Sequence, residues 1–218
     1  MDLPAIVVNF KTYEQAVGAN ALALAKVHEK VAKETGKNIA VCVNAHDLKE
    51  VAANVDIPVF AQHIDPVAYG ALTGHIAPEI AKQAGAYGTL LNHAERKLTD
   101  EVLEKSIKRA HEAGLFVICC AETPERGVTV AGFGADLIAV EPPELIGGDI
   151  SVSKASPDVI TRSVDFLGKG KVLVGAGVKT SEDVKIAIEL GASGVLLASG
   201  ITKADDPYKV LLDLTSGL

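Results

Sequence analysis

The strongest candidate for chemistry is a glutamate that ends an apolar run and precedes two prolines. Residues 137–140 are apolar, and Glu141 follows them directly. A residue before proline is held away from helical backbone angles, so Glu141 should stay extended at the end of a strand. A carboxylate fixed in this way can act as a general base. An ordinary surface glutamate that opens a loop is the alternative.

Two more polar side chains come just after apolar runs. Lys11 follows residues 5–8, and His93 follows residues 87–91. Together with Glu141 they would supply a cation, a hydrogen-bond donor and a base, provided that the fold brings them together. Singly, Lys11 could be a solvated lysine and His93 a helix cap. Glu95 could be a helix carboxylate or a partner for Lys11, and both interpretations stay open.

Eight short apolar runs alternate with segments of helical spacing along the chain. The runs cover residues 5–8, 39–43, 58–61, 87–91, 115–119, 137–140, 171–174 and 194–197. Continuous apolar runs of this length are typical of parallel strands that are buried on both faces. Helices are predicted at 14–34, near 46, near 79, at 99–113, from 124, from 156, at 180–190 and at 206–215.

Eight such units predict an α/β fold, a single-domain (β/α)8 barrel over residues 1–218. A doubly wound open sheet has the same local pattern. Against it, the turn after the first run reads Asn9-Phe10-Lys11 and has no glycine-rich dinucleotide fingerprint. In a barrel the chemistry lies at the carboxyl ends of the strands, where Lys11, His93 and Glu141 fall.

Small residues follow the last two runs. Gly175-Ala176-Gly177-Val178 comes after the seventh and Ala198-Ser199-Gly200 after the eighth. Small side chains let an anion approach backbone N–H groups, and barrels often bind phosphate at these two positions. Either turn alone could be a plain connection; the pair predicts a phosphate site.

Composition narrows the possible partners. A net charge of −7 leaves no basic surface for nucleic acid or for an anionic membrane. The first residues have no basic leader, and no run reaches the roughly 18 apolar residues of a membrane span, so we expect a cytoplasmic protein. Cys42, Cys119 and Cys120 lie in apolar runs and should be buried reduced thiols. The other histidines lack metal-ligand spacing, so they should be structural or surface residues: His28, His46, His63, His75 and His111.

These pieces together resemble triosephosphate isomerase of the archaeal type. The most specific piece is the stretch from Leu90 to Arg96, which reads Leu-Leu-Asn-His-Ala-Glu-Arg. The resemblance spans nearly the whole chain, and the other matching pieces are Asn9-Phe10-Lys11, the Gly70-Ala71-Leu72-Thr73-Gly74 loop, Glu141-Pro142 with Ile146-Gly147, and Ala198-Ser199-Gly200.

The resemblance implies the interconversion of dihydroxyacetone phosphate and D-glyceraldehyde 3-phosphate, a step of glycolysis and gluconeogenesis. Glu141 would move the proton between adjacent carbons, while Asn9, Lys11 and His93 would stabilise the enediolate oxygens. A lid over residues 142–153 would exclude water. Neither a cofactor nor a metal is implied. The phosphate would be bound by amides around Ile146, Gly147, Gly177, Ala198 and Ser199.

Some features depart from the longer members of this family. The lid tip has no tryptophan, the loop after the seventh run reads Gly-Ala-Gly-Val, and Ala94 stands where many members have serine. The short chain is similar to the archaeal tetramers. The resemblance also implies a homotetramer or a dimer in which Thr73 reaches the neighbouring active site.

Two rival interpretations follow from the same pattern. Another phosphate-binding barrel, such as a lyase or synthase of tryptophan or thiamine synthesis, would share the two glycine turns. It would not need Asn9, Lys11, His93 and Glu141 together. A barrel that only binds sugar phosphates, or serves as a scaffold, would need no base.

Overall fold

The computed structural model describes residues 1–142, 145 and 151–218. Its eight parallel strands pair in sequence order, and β1 pairs with β8 to close the barrel. This closure confirms the predicted (β/α)8 barrel and excludes the open sheet. The strands are β1 Ala5–Asn9, β2 Asn38–Val43, β3 Val59–Ala61, β4 Gly88–Leu91, β5 Phe116–Ala121, β6 Leu137–Val140, β7 Val172–Val174 and β8 Gly194–Leu197.

The helices lie outside the strands and cover the apolar outer face of the barrel. Short 3-10 turns cover Glu14–Ala16 and Ala94–Arg96. The α-helices are α1 Ala19–Thr35, α2 Leu48–Asn54, α3 Pro78–Gln83, α4 Asp100–Glu112, α5 Pro124–Gly132, α6 Val152–Ala155, α7 Pro157–Leu167, α8 Ser181–Glu189, α9 Ser199–Thr202 and α10 Pro207–Thr215.

The first helix differs from its prediction. Residues 14–34 were expected to form one helix, but the chain makes a 3-10 turn at Glu14–Ala16 and starts α1 only at Ala19. Gly18 lies between the two with φ of +59°, which a right-handed helix does not permit. The helical spacing of the apolar residues does not report such a backbone break, so the prediction was wrong here.

The strands alternate between two apolar layers. Every second side chain points into the barrel, and its neighbours point out toward the helices. The inner layer takes residues from all eight strands: Val7, Ala40, Cys42, Phe60, Leu90, Ile118, Cys120, Leu137, Ala139, Leu173 and Leu196. Two residues after Val7 and Ala139 come Asn9 and Glu141, so both lie on the inward-facing register at the carboxyl end.

His28 is a fully buried histidine on α1. Its Nδ1 lies 2.8 Å from the carbonyl oxygen of Leu24, and its ring packs against Phe10 at 5.3 Å between centroids. Nε2 has no hydrogen-bond partner. Burial lowers the pKa of His28 to about 4, although the hydrogen bond to Leu24 opposes this shift. Between a pH of about 4 and 6.5, the ring is therefore uncharged in the folded protein and protonated in the unfolded chain.

We expect the fold to lose stability as the pH falls from about 6.5 toward 4. The unfolded chain then binds a proton that folded His28 refuses, which should cost about 3 kcal/mol by pH 4. Urea unfolding at several pH values measures this slope. His28→Leu removes the titrating group, so it should flatten the slope over this range. An unchanged slope would show that His28 is not its source.

No helix in the described part of the chain is long and apolar enough to cross a membrane. The three cysteines are buried and free, as predicted.

Candidate active site

One cavity opens at the carboxyl end of the barrel, between the ends of β1, β4, β6, β7 and β8. Of the catalytic and substrate-binding residues that the resemblance implies, Ile146 and Gly147 lie outside the described residues, and the others line this cavity. Its wall consists of Asn9, Lys11, Tyr13, His93, Glu141, Ala176, Gly177, Val178, Lys179, Leu196, Leu197, Ala198, Ser199 and Gly200.

Glu141 lies just past β6 with its side chain turned into the cavity. Its backbone N–H donates to the carbonyl of Ala121 at 2.9 Å, so the strand pairing continues one residue past β6. The carboxylate is only 8% exposed, and Oε2 has no hydrogen-bond partner. Buried polar atoms are nearly always hydrogen-bonded, and a catalytic role is one of the reasons for an exception.

Gly175 provides the space for this carboxylate. A Cβ at position 175 would lie 2.3 Å from Cγ and 2.6 Å from Oε1 of Glu141, closer than carbon atoms approach. The residue after β7 must therefore be glycine if Glu141 is to occupy this position.

His93 faces Glu141 from the end of β4. Asn92 turns the chain with φ of +57°, and its side chain bonds the carbonyl of Cys120 and the N–H of Leu98. His93 then caps the following 3-10 turn, because its Nδ1 accepts the N–H of Glu95 at 3.2 Å.

We assign the tautomer of His93 from that hydrogen bond. Since Nδ1 is an acceptor, the proton of the neutral ring lies on Nε2. Nε2 lies 3.9 Å from Oε2 of Glu141, on the cavity side. The ring thus presents an N–H donor toward the space beside the candidate base.

Lys11 is held on the opposite wall in an unusual backbone conformation. Its φ is +50°, and it is retained by two side chains: Oδ1 of Asn9 accepts the Lys11 N–H at 3.0 Å, and Nε2 of Gln62 donates to the Lys11 carbonyl at 2.9 Å. A non-glycine residue in the left-handed region is strained, and such strain is common at functional sites.

The side chain of Lys11 ends in an ion pair with Glu95. Nζ lies 2.6 Å from Oε1 of Glu95, and Lys11 is 13% exposed against 59% for Glu95. The structure supports both interpretations left open above, because Glu95 lies in the first turn of the 3-10 helix Ala94–Arg96 and also pairs with Lys11. Because the pair is partly open to solvent, it contributes little to the stability of the fold, and its main effect is to orient Nζ of Lys11.

The loops after β7 and β8 form the third wall. Ala176 and Gly177 both have left-handed backbones, with φ of +70° and +69°. Ser199 opens α9, and the first N–H groups of a helix have no partner within it. Both loops therefore bring backbone polar groups to the cavity, as a phosphate site requires.

Cys120 lies beneath this site on β5. Burial raises the pKa of its thiol well above the usual range, and the nearby Glu141 carboxylate adds to this effect. Burial likewise raises the pKa of Cys42. Both thiols stay protonated, so neither adds a negative charge beside Glu141.

The other histidines do not line this cavity. His63 and His111 lie beside Asp65 and Asp136, at 3.1 and 3.0 Å. Within residues 1–142, 145 and 151–218, no group of three or more His, Cys, Asp or Glu side chains is placed to hold a metal ion.

The predictions from the sequence did not include Gln62, the cavity-lining Lys179 or the role of Gly175 beside Glu141. Gln62 was not considered, although it follows β3 and the strand-end rule would have selected it. Gly175 was expected to serve the anion, and its close approach to Glu141 depends on how β6 and β7 pair, which no local pattern reports.

Comparison with known proteins agrees with this geometry. The triosephosphate isomerase family model matches residues 4–216. The triosephosphate isomerase of Methanobacterium bryantii is 47% identical, covering 99% of this chain and 97% of its own. That of Metallosphaera sedula is 46% identical, covering 100% and 96%. In fold, the chain is similar to the crystal structure of triosephosphate isomerase from Bartonella henselae, with a TM-score of 0.74, 20% identity and 98% of each chain covered.

The fold and the site therefore agree with the comparisons. The closed barrel places a glutamate, a histidine and a lysine around one cavity, and the chain is similar over nearly its full length to archaeal triosephosphate isomerases. The chain belongs to the triosephosphate isomerase family and is of its archaeal type.

Proposed function

We propose that the chain interconverts dihydroxyacetone phosphate and D-glyceraldehyde 3-phosphate, with Glu141 as the base. One observation carries this proposal: the unpartnered Oε2 of Glu141 lies 3.9 Å from Nε2 of His93. A carboxylate oxygen without a hydrogen-bond partner can accept a proton from carbon, and a donor beside it can serve the neighbouring carbonyl oxygen.

The proton transfer follows from these positions. Glu141 removes a proton from the carbon next to the carbonyl, and the electron pair moves onto the carbonyl oxygen. His93 Nε2–H, the ammonium of Lys11 and the side chain of Asn9 stabilise the enediolate oxygens. The proton of the substrate hydroxyl then passes to the former carbonyl oxygen, and Glu141 returns its own proton to the former carbonyl carbon as the new carbonyl forms on the neighbouring carbon. Donors that are already in place when charge develops lower the barrier more than donors that must reorganise.

The substrate phosphate binds at the other end of the cavity. We propose that the amides of Gly177, Ala198 and Ser199 hold it, with Ile146 and Gly147 completing the set. The chain carries a net charge of −7, so a dianion needs local positive potential. Backbone N–H groups and two lining lysines, Lys11 and Lys179, supply it.

A coupled assay tests the proposal. D-Glyceraldehyde 3-phosphate is supplied to the purified protein, and the dihydroxyacetone phosphate formed is reduced by a dehydrogenase that consumes NADH. We expect rapid oxidation of NADH that depends on this protein. Binding of phosphoglycolate without isomerisation would instead favour a barrel that only binds sugar phosphates.

We also propose that the chain works as a homo-oligomer, a tetramer or a dimer. The loop 70–74 stands out from the barrel, with Leu72 exposed and Tyr69 beside it 63% exposed. A second cavity adjoins the first and is bounded by Lys11, Gln62 and Glu95. Thr73 of a second copy would enter there and support Lys11 and Asn9.

Thr73→Arg should therefore weaken assembly and lower turnover together. The larger, charged side chain would not fit beside Lys11. Sedimentation velocity and activity, measured at the same protein concentrations, check the link, and Ser216→Arg on the exposed C-terminal turn is the control. Full turnover by dilute monomers would refute it.

A further inference from the structure

Asp183 is a buried carboxylate outside the cavity that joins two separate segments of the chain. It lies in the first turn of α8 and is 3% exposed. Oδ2 accepts the N–H groups of Lys179 and Thr180, both at 3.1 Å, and the Thr180 hydroxyl at 2.9 Å. Oδ1 accepts the hydroxyl of Ser151 and pairs with Nζ of Lys154, both at 2.8 Å.

The first of these segments is the strand-seven loop, residues 175–180. The second is the 151–154 segment, which includes most of α6. They also meet directly, because the N–H of Val152 donates to the carbonyl of Ala176 at 3.3 Å. Ser153 adds a bond from its hydroxyl to the backbone carbonyl of Asp183 at 3.0 Å. The contacts of Asp183 therefore reinforce one junction from several sides.

Helix capping explains only half of these contacts. Thr180 and Asp183 form a capping box at the start of α8, and that motif uses Oδ2. Oδ1 is directed at the 151–154 segment instead. Burial opposes ionisation, but the bonds from Lys154, Lys179, Ser151 and Thr180 together lower the pKa of Asp183 far below its usual range. The group is therefore a carboxylate whose two oxygens serve different segments.

The strand-seven loop is consequently fixed at both of its ends. At its start, the N–H of Gly175 donates to the carbonyl of Val140 at 3.0 Å. At its end, Asp183 holds the N–H groups of Lys179 and Thr180. Between these anchors lie Ala176 and Gly177, whose left-handed backbones determine where their N–H groups point.

We propose that Asp183 is a positioning residue for the substrate phosphate. Asp183 ties the end of the strand-seven loop to the 151–154 segment. It thereby fixes the positions of the backbone amides that bind the phosphate dianion. This inference rests on the proposed function, because it assigns to Asp183 a part in binding the phosphate of that same substrate. Asp183 does not line the cavity, so it acts through the loop.

If Asp183 has this role, its replacement should lower the activity toward a phosphorylated substrate more than toward one without a phosphate. Binding energy from a part of the substrate remote from the reacting carbons is used at the reacting centre. A misplaced phosphate loop would therefore impair D-glyceraldehyde 3-phosphate more than D-glyceraldehyde, which has no phosphate. Partial unfolding would lower both rates by the same factor.

The experiment compares kcat/KM for these two substrates in the wild type and in Asp183→Asn. Asparagine has the same shape but only one acceptor oxygen, so it cannot hold both segments. We expect the ratio of the two kcat/KM values to fall roughly tenfold or more, since bonds to a buried charged group are lost. For the phosphorylated substrate we expect kcat to fall as well as KM to rise, because the phosphate contributes at the reacting centre.

Asp206→Asn is the matched control. Asp206 caps α10 by accepting the N–H of Lys209 at 3.1 Å and pairs with Nζ of the same lysine at 2.8 Å, yet it does not line the cavity. In Asp206→Asn, the ratio of kcat/KM for D-glyceraldehyde 3-phosphate to that for D-glyceraldehyde should equal the wild-type ratio. A wild-type ratio in Asp183→Asn, or an equal fall in Asp206→Asn, would overturn the inference.

A second variant covers the case in which Asp183→Asn fails to fold. Ser151→Ala removes one bond from the 151–154 side and leaves the capping box intact, so it should lower the ratio in the same direction. A wild-type ratio there would count against the inference. Titration with inorganic phosphate gives a readout without catalysis, in which both variants should bind more weakly. Absence of wild-type isomerisation would overturn the proposed function instead.

Discussion

Glu141→Gln is expected to lower kcat by about two to four orders of magnitude with little change in KM, because it removes the base and keeps the shape. Gly175 provides the space that the Glu141 side chain fills, so the amide, which has the same shape, should occupy the position of the carboxylate. Steady-state kinetics in both directions measure the effect. Glu141→Asp should also be slow, since the shorter carboxylate withdraws from the proton.

The control for Glu141 is the carboxylate at the end of the preceding strand. Glu122 follows β5, pairs with Lys97 at 3.2 Å and does not line the cavity at the barrel mouth. Glu122→Gln should stay within a few-fold of the wild type. Wild-type turnover by Glu141→Gln would remove Glu141 from the role of base.

Lys11→Met is expected to raise KM and to lower kcat, by about two to three orders of magnitude in kcat/KM. The ammonium attracts the anionic substrate and also stabilises the charge that develops on oxygen. Its loss also removes the cation that offsets the charge of Glu95, a carboxylate beside the cavity that would repel the dianion. Initial rates over a range of substrate concentrations separate the two effects.

Lys97→Met serves as the control for Lys11. Lys97 is also paired with a glutamate, but its side chain is 52% exposed and lies outside the main cavity. It should keep the rate and KM of the wild type. If Lys11→Met did the same, the role of Lys11 at the substrate would be wrong.

The residues of the site that the sequence predicts are those that follow from the parallel direction of the strands. Parallel strands place all their carboxyl ends at one edge, so residues that follow apolar runs meet even when they are distant in sequence. That rule suffices to bring Lys11, His93 and Glu141 together. It also predicts the position of Gly177 and Ser199, because they follow the last two strands.

The unpredictable part depends on contacts between elements. Nothing in the local sequence shows that Lys11 adopts a left-handed backbone supported by Gln62, because that contact joins β3 to the end of β1. Likewise, nothing in the local sequence shows that Asp183, in the first turn of α8, bonds to Ser151, 32 positions earlier. Side-chain contacts across the barrel rim arise from strand register and are visible only in three dimensions.

The most direct test of a single catalytic site is a crystal structure of the protein with phosphoglycolate. Its carboxylate should lie within hydrogen-bond distance of Lys11 Nζ and His93 Nε2, with Glu141 against the same end of the molecule. Its phosphate should be bound by the amides of Gly177 and Ser199. An inhibitor bound elsewhere, or one that touches the two loops but none of these three side chains, would contradict the account.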